Sequence, residues 1–547
     1  MNEIIDWFVT HSPALIIAIP LLGAFLTPII SKVNKKVRNI FVIIVLIFTS
    51  VLIFTLSYEV ITNGIKTYVF GGGSATIGAG DSAYAIRILF EIDGFNAFIA
   101  IIAGILPLAA VIYSWAYMKD ETGQDKYYTL ILLMTVGMLG MIITGDMFNF
   151  FVFLEITSIS SAALIAFWTH KKNSVQAGFK YIVISSIGAL FILFAIAIFY
   201  AQYDALNMAV IANNISFSFL DKIALVLLIA ALAMKSGIVP MHMWLPDAYG
   251  RAPSSVVVVL IGTTLASLYG MIRIFFTVYG YNIFNDLNNL SVESSTLSIA
   301  IGILITILAV FTIIIGVFMA LKQKDLKKTI AFVAVAEIGY MILAFGAAIL
   351  SYYVTEFNDV PNAISMTNAG VMALKGGVFH ILNDALDVGL LFLVAGAVYY
   401  VTKQTSLNKL GGLARNMKYT TVFFVIGLIA VSGLPPLNGF ASKLIIYQST
   451  FQINPLLSII AILCSILILA VFVKIFYSIF LGPKQSKFEG VKEVPKTMLI
   501  AMGIIAFVII IIGLFPNLFL ENLVTPATDA LQNAGEYVTK IIGVGGA

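Results

Sequence analysis

Apolar stretches long enough to cross about 30 Å of hydrocarbon recur about fourteen times along this chain, with short polar connections between most of them. They begin near residues 13, 40, 97, 127, 148, 177, 223, 255, 297, 329, 371, 420, 457 and 498. Each predicts a helix, because a segment inside lipid must satisfy its backbone hydrogen bonds internally. The fold class that follows is an all-α polytopic membrane protein. Two stretches carry a break. In the seventh, LVLLIAALAMKSGIVPMHMW, Pro240 stops the hydrogen-bond ladder five residues after Lys235. In the twelfth, VSGLPPLNGFASKLII, Lys443 follows Pro435 and Pro436. Backbone freed in this way must be satisfied by protein or by a wet cavity, so helices 7 and 12 are predicted to be discontinuous.

The polar connections sort by charge. Those after odd-numbered helices hold groups such as Lys32, Lys35, Lys36 and Arg38, or Lys322, Lys324, Lys327 and Lys328. Those after even-numbered helices are nearly free of Lys and Arg, with Lys66, Arg87 and Lys222 as exceptions. The positive-inside rule then places the odd connections in the cytoplasm and both termini outside a cell membrane. A long outer connection, about residues 59–96, includes GGGSATIGAG. It lacks the Lys-Ser/Thr ending of a phosphate loop, so a flexible or hairpin-like cap is expected. The tail from about residue 520 is mildly amphipathic and is expected along the outer surface.

Composition narrows the function classes. The 547 residues are 60% hydrophobic and 11% charged, against about 25% charged in soluble domains. A net charge of +4 gives no reason to expect nucleic acid. Cys464 is the single cysteine, and the four histidines (His11, His170, His242, His380) do not pair at metal-ligand spacing. No metal, flavin or nucleotide cofactor is therefore expected in this chain. Glu3 and Asp6 stand where a cleaved signal would carry positive charge.

What remains is charge inside the apolar stretches, which costs about 2.5–3.5 kcal/mol per group on insertion scales. Helix 5 carries Glu155 and helix 7 Lys235; five helices on, helix 10 carries Glu337 and helix 12 Lys443. An acid followed by a lysine at a break thus occurs twice. The offset is odd, so the two units enter the membrane with opposite polarity, a transporter-like arrangement. The expected organisation is 1–126 for three N-terminal helices with an outer loop, 127–280 and 281–482 for two inverted five-helix repeats, and 483–547 for helix 14 and a tail. Helix 11 adds His380, Asp384 and Asp387 at spacings of four and three, on one face. A buried Glu–Lys pair whose members can separate is a proton-transfer device, and its titrations are coupled. Lys474, near Gly482 and Pro483, reads equally as a snorkelling residue. Asp247 and Arg251 read as loop or interface structure, His242 as a structural hydrogen-bonding group, and Asp93 as a helix cap.

At these residues the chain resembles the antiporter-like superfamily: large membrane subunits of respiratory Complex I, of Mrp antiporters, and of archaeal membrane-bound hydrogenases and sulfur reductases. The matching stretches are GDMFNFFVFLEI, AMKSGIVPMHMWLPDAYGRAPSSV, KKTIAFVAVAEIGYM, HILNDAL and SGLPPLNGFASKL. The GD-FN-FVF-E pattern and the lysine at 443 look nearest to the Mrp D type. The resemblance implies ion translocation along Glu155, Lys235, Glu337, His380, Asp384, Asp387 and Lys443. It implies H⁺, or Na⁺ exchanged for H⁺, as cargo, other membrane subunits as partners, and iron–sulfur or nickel–iron centres only in those partners. The chain departs from the family at Leu265, where a lysine is common, at Glu337, where His or Gln is frequent, and at Asp384 and Val388, where His and Lys are usual. Those departures leave a non-pumping structural subunit open as the alternative; a redox chain or a stand-alone solute carrier fits less well.

Overall fold

The computed structural model describes residues 2–70, 88–285, 292–354, 368–483 and 485–542. The GGGSATIGAG stretch and Arg87 lie outside the described residues. The spans are α1 (Asn2–Val33), α2 (Lys35–Asn63), α3 (Gly94–Tyr117), α4 (Gln124–Ile143), α5 (Met147–Ile165) and α6 (Lys172–Tyr203). Next come α7a (Phe219–Ser236) with α7b (Leu245–Arg251), α8 (Ser254–Arg273), α9 (Val292–Lys322), α10 (Leu326–Val354) and α11 (Asn368–Thr402). Last are α12a (Lys418–Val431) with α12b (Asn438–Ile453), α13 (Pro455–Phe476) and α14 (Lys496–Leu514). Thirteen helices among the described residues are long and apolar enough to cross a membrane. The fourteenth crossing is α12, whose halves are each too short alone. The molecule is an all-α polytopic membrane protein.

Its polar chemistry is confined by packing. Helices α8 and α11 bury their entire apolar windows and α10 nearly all of its own, whereas α1, α6, α13 and α14 turn most of theirs outward. Around this centre α8 packs on α3, α7a and α11, while α10 packs on α7b, α11 and α12b. A helix apolar all round belongs inside such an assembly, and charges on α10 and α11 are thereby kept from lipid.

The two breaks share one design. Gly237 (φ +77°) and Gly433 (φ +68°) each end a half-helix in the left-handed conformation, which glycine adopts without penalty. Each is followed three residues on by a cis proline, Pro240 or Pro436. In each, the amide after the glycine bonds five residues back, Ile238 to Ala233 and Leu434 to Ile429. Freed carbonyls find side-chain partners: Trp244 Nε1 donates to Met234 (2.8 Å) and Lys443 Nζ to Val431 (2.7 Å).

The connection after α2 is the expected hairpin-like cap. Strand β1 (Lys66–Val69) pairs antiparallel with β2 (Leu89–Ile92), Lys66 opposite Ile92. Two tail helices, Thr525–Gln532 and Ala534–Ile542, fold over the same end, packing on α3 and on a short helix, Met208–Asn214. Asp93 caps α3 as expected, in a reciprocal box with Asn96. It also holds Arg273 at 2.6 and 2.7 Å, both side chains buried. That ion pair joins β2–α3 to the end of α8.

Candidate functional site: two lysine–glutamate centres

The first centre lies where α5, α6 and α7a meet. Lys235 is sixteen residues from either end of the broken span Phe219–Arg251, at the midpoint of its sequence and just before the break. Glu155 and Ser158 are three apart on α5 and share a face; Ser185 comes from α6. Lys235 Nζ donates to Ser158 Oγ at 2.7 Å and to Ser185 Oγ at 2.5 Å. Its distance to Glu155 Oε1 is 3.8 Å. The ammonium is hydrogen-bonded to two hydroxyls while the carboxylate stands back, an ion pair without a hydrogen bond. Lys235 is enclosed, with 5% of its side chain exposed against 29% for Glu155.

At the second centre, on α10, α11 and α12b, the pair is closed. Lys443 Nζ lies 2.8 Å from Glu337 Oε1, and His380 Nε2 is 2.9 Å from Glu337 Oε2. The far ring nitrogen, His380 Nδ1, meets Ser442 Oγ at 3.0 Å. Asn383 donates to Ser442 Oγ (2.9 Å) and to the Asn438 carbonyl (3.0 Å). Asn438 in turn donates to Asp387 Oδ1 at 3.0 Å. A continuous polar network therefore runs Lys443–Glu337–His380–Ser442–Asn383–Asn438–Asp387. Its Lys, Glu and His are all at most 2% exposed. Lys443 does not snorkel; it turns inward to its acid and to the helix break.

Asp384 is buried beside this network, and its Oδ1 makes no hydrogen bond to a protein group. Glu337, Asp387 and Lys443 are its charged neighbours. Toward the first centre, Tyr249 of α7b pairs with Thr264 of α8 (2.8 Å), and Asp384 is among the charges that act on Tyr249. Leu265 of α8 and Val388 of α11 are buried, and these two helices pack together.

The structure thus brings together Glu155 with Lys235, and Glu337, His380 and Lys443 with one another. Asp387 joins through two asparagines, and Asp384 stands without a hydrogen bond from its Oδ1. Sequence reasoning missed Ser158, Ser185, Asn383, Asn438 and Ser442, which are uncharged and inconspicuous in a chain with many hydroxyls. The helical spacing of Ser158 from Glu155, and of Asn383 from His380 and Asp387, was the available signal. Lys474 donates to the carbonyls of Leu321 (3.0 Å) and Gln323 (3.5 Å), closing the end of α9. Asp247 lies between Lys180 (2.9 Å) and Lys328 (2.8 Å). His242 packs against the Phe332 ring. Among the described residues no group of three or more His, Cys, Asp or Glu is placed to hold a metal ion.

Comparison with known proteins bears on the same segments. The transmembrane family described as NADH:quinone oxidoreductase/Mrp antiporter matches residues 144–355 and 362–469, more than half of the chain and all of both centres. NADH-quinone oxidoreductase subunit N of Desulforudis audaxviator is 29% identical over 454 residues, covering 79% of this chain and 83% of that one. Na(+)/H(+) antiporter subunit A1 of Staphylococcus haemolyticus is 29% identical over 542 residues, covering 94% of this chain; this chain spans only 62% of its length. Among solved structures, a chain of an archaeal membrane-bound sulfane sulfur reductase superposes with a TM-score of 0.79 at 28% identity, covering 97% of this chain and 99% of that one.

Proposed function

Because the chain belongs to the NADH:quinone oxidoreductase/Mrp antiporter transmembrane family, we propose that it translocates protons, or exchanges Na⁺ for H⁺, as an antiporter-like subunit of a larger membrane complex. The observation that carries this reading is the contrast between its two ion pairs. One is closed at 2.8 Å, and the other stands at 3.8 Å with its lysine held by serines. A paired lysine keeps its proton in a dry site; a lone one tends to give it up. Two such pairs on oppositely inserted units, 127–280 and 281–482, form a relay. Glu155 modulates Lys235, Asp384 and His380 with Glu337 bridge the centre, Asp387 and its asparagines extend it, and Lys443 passes charge onward. The 1–126 and 483–547 segments flank the two units, and both termini lie outside by the charge of the connections. Redox centres, where the complex has them, belong to partner subunits.

A second reading, a subunit that keeps the fold and conducts nothing, is favoured by the buried apolar side chains of Leu265 and Val388, which stand where the resemblance would put cations. Lys235→Ala in the assembled complex decides between them. Loss of ion-coupled activity with the complex intact supports the relay; unchanged pumping sinks it.

A further inference from the structure

On the face that carries the lysine-rich connections, a cavity of about 280 Å³ opens between the two halves of the molecule. Lys171 and Lys172 reach it from the start of α6, Arg251 from the end of α7b, and Lys327 from the first turn of α10. Trp168 and Tyr399 flank them. Lys171 Nζ lies 3.5 Å over the Trp168 ring and donates to Tyr399 Oη at 2.7 Å. Lys327 is 3% exposed, and its ammonium bonds the Ala252 carbonyl. Among the described residues, no carboxylate lies within ion-pair distance of Lys171, Lys172 or Lys327. Two acids lie nearby: Asp325 is 4.0 Å from Arg251 and already accepts from Thr405 Oγ1 and from the Lys328 amide, and Glu121 accepts from Trp168 Nε1 at 2.9 Å.

Four basic side chains against two carboxylates that are both already engaged is a costly balance for a partly dry site. The start of α6 adds to it, for that 32-residue helix has no side-chain cap at its N-terminus, and Asn173 and Ser174 line the same cavity. Arginine supplies a planar fork and lysine a compact charge, the combination that suits a tetrahedral oxyanion. An adjoining cavity of about 600 Å³ shares Asn173 and Arg251; Lys180, Asp247 and Lys328 line it together with Phe179 and Val183, whose side chains are exposed. Exposed apolar side chains next to a basic pocket suit a headgroup site beside an acyl chain. We propose that this cavity binds a phosphate-type oxyanion, supplied by an acidic lipid or by soluble phosphate. Basic pockets between membrane helices take lipid phosphate in this manner.

The test uses the full chain in a nonionic detergent. Lipid retention is read by native mass spectrometry with equimolar phosphatidylglycerol and phosphatidylcholine, and inorganic phosphate is scored by its effect on thermal unfolding against chloride at equal ionic strength. Retained phosphatidylglycerol in preference to phosphatidylcholine, weakened about five-fold per cation removed in Lys172→Gln and Arg251→Gln, assigns the site to a lipid. Stabilisation by inorganic phosphate without lipid preference, lost in the same variants, assigns it to a soluble anion. Lys172 is exposed, so its variant is expected to fold even if Lys327→Met does not. Equal retention of both lipids with no phosphate effect overturns the proposal, as does a preference that both variants leave unchanged.

Discussion

Lys235 and Lys443 solve the same problem by different means. Each carries a charge in an apolar setting; one meets hydroxyls, the other a carboxylate and a freed carbonyl. The hydroxyls are therefore expected to matter beyond their size. Removing both in Ser158→Ala/Ser185→Ala should cost about 1.5–3 kcal/mol per lost hydrogen bond to the charged group. It should also draw the ammonium toward Glu155 and depress ion-coupled activity. Unfolding in detergent and transport by the reconstituted complex check this, and an unchanged protein on both counts refutes it. At this scale the charged positions were legible in the sequence, because an ionisable group in an apolar run stands out by cost alone. The serines and asparagines were not, since a hydroxyl can bond its own helix and so gives no sign of a distant partner.

Elements show where sequence reasoning was strongest. Apolar length gave the crossings, and glycine with proline gave both breaks, because each acts through its own backbone. What lies between the half-helices was not legible, since it depends on which neighbours arrive: Thr312 of α9 for the Val239 amide (3.2 Å), and Trp244 for the Met234 carbonyl. The second break is expected to be sensitive. A Cβ on Gly433 would stand 2.8 Å from Lys443 Cδ, at a φ of +68°. Gly433→Ala should cost about 1–2 kcal/mol from the backbone alone and push Lys443 off the Val431 carbonyl. Thermal unfolding measures the first effect and ion-coupled activity the second; wild-type values for both would show that the break tolerates any residue.

Across the whole molecule, the end that carries the β1–β2 pair and the tail helices is closed by groups from distant parts of the chain. Arg273→Met leaves Asp93 buried and unpaired, and should cost about 3–5 kcal/mol. Asp93→Asn/Arg273→Met together should cost less, because no lone charge remains. Folded yield and unfolding temperature in detergent test the ordering of the two. Burial pushes the carboxyl of Asp146, the cap of α5, from 3.8 up to about 6, despite the Asn149 amide it accepts. Its protonated form is the one that the fold favours. The contribution to stability is complete below pH 3.8 and is lost as pH rises through about 6, for a total of up to about 3 kcal/mol. Asp146→Asn keeps a capping side chain and should flatten this fall between pH 4 and 7 in an unfolding-temperature profile; a slope equal to wild type refutes it. Neither closure was legible, because partners such as Asp93 and Arg273 are far apart in sequence and no local pattern links them. Tyr537, on the second tail helix, lies over the Arg273 guanidinium at 4.9 Å, and the Pro526 carbonyl sits against Gly94 too closely to admit a Cβ. During synthesis the tail emerges more than four hundred residues after Gly94. The start of α3 thus waits, inserted but uncovered, for its final packing, and a ribosome that stops early leaves this surface open to quality control.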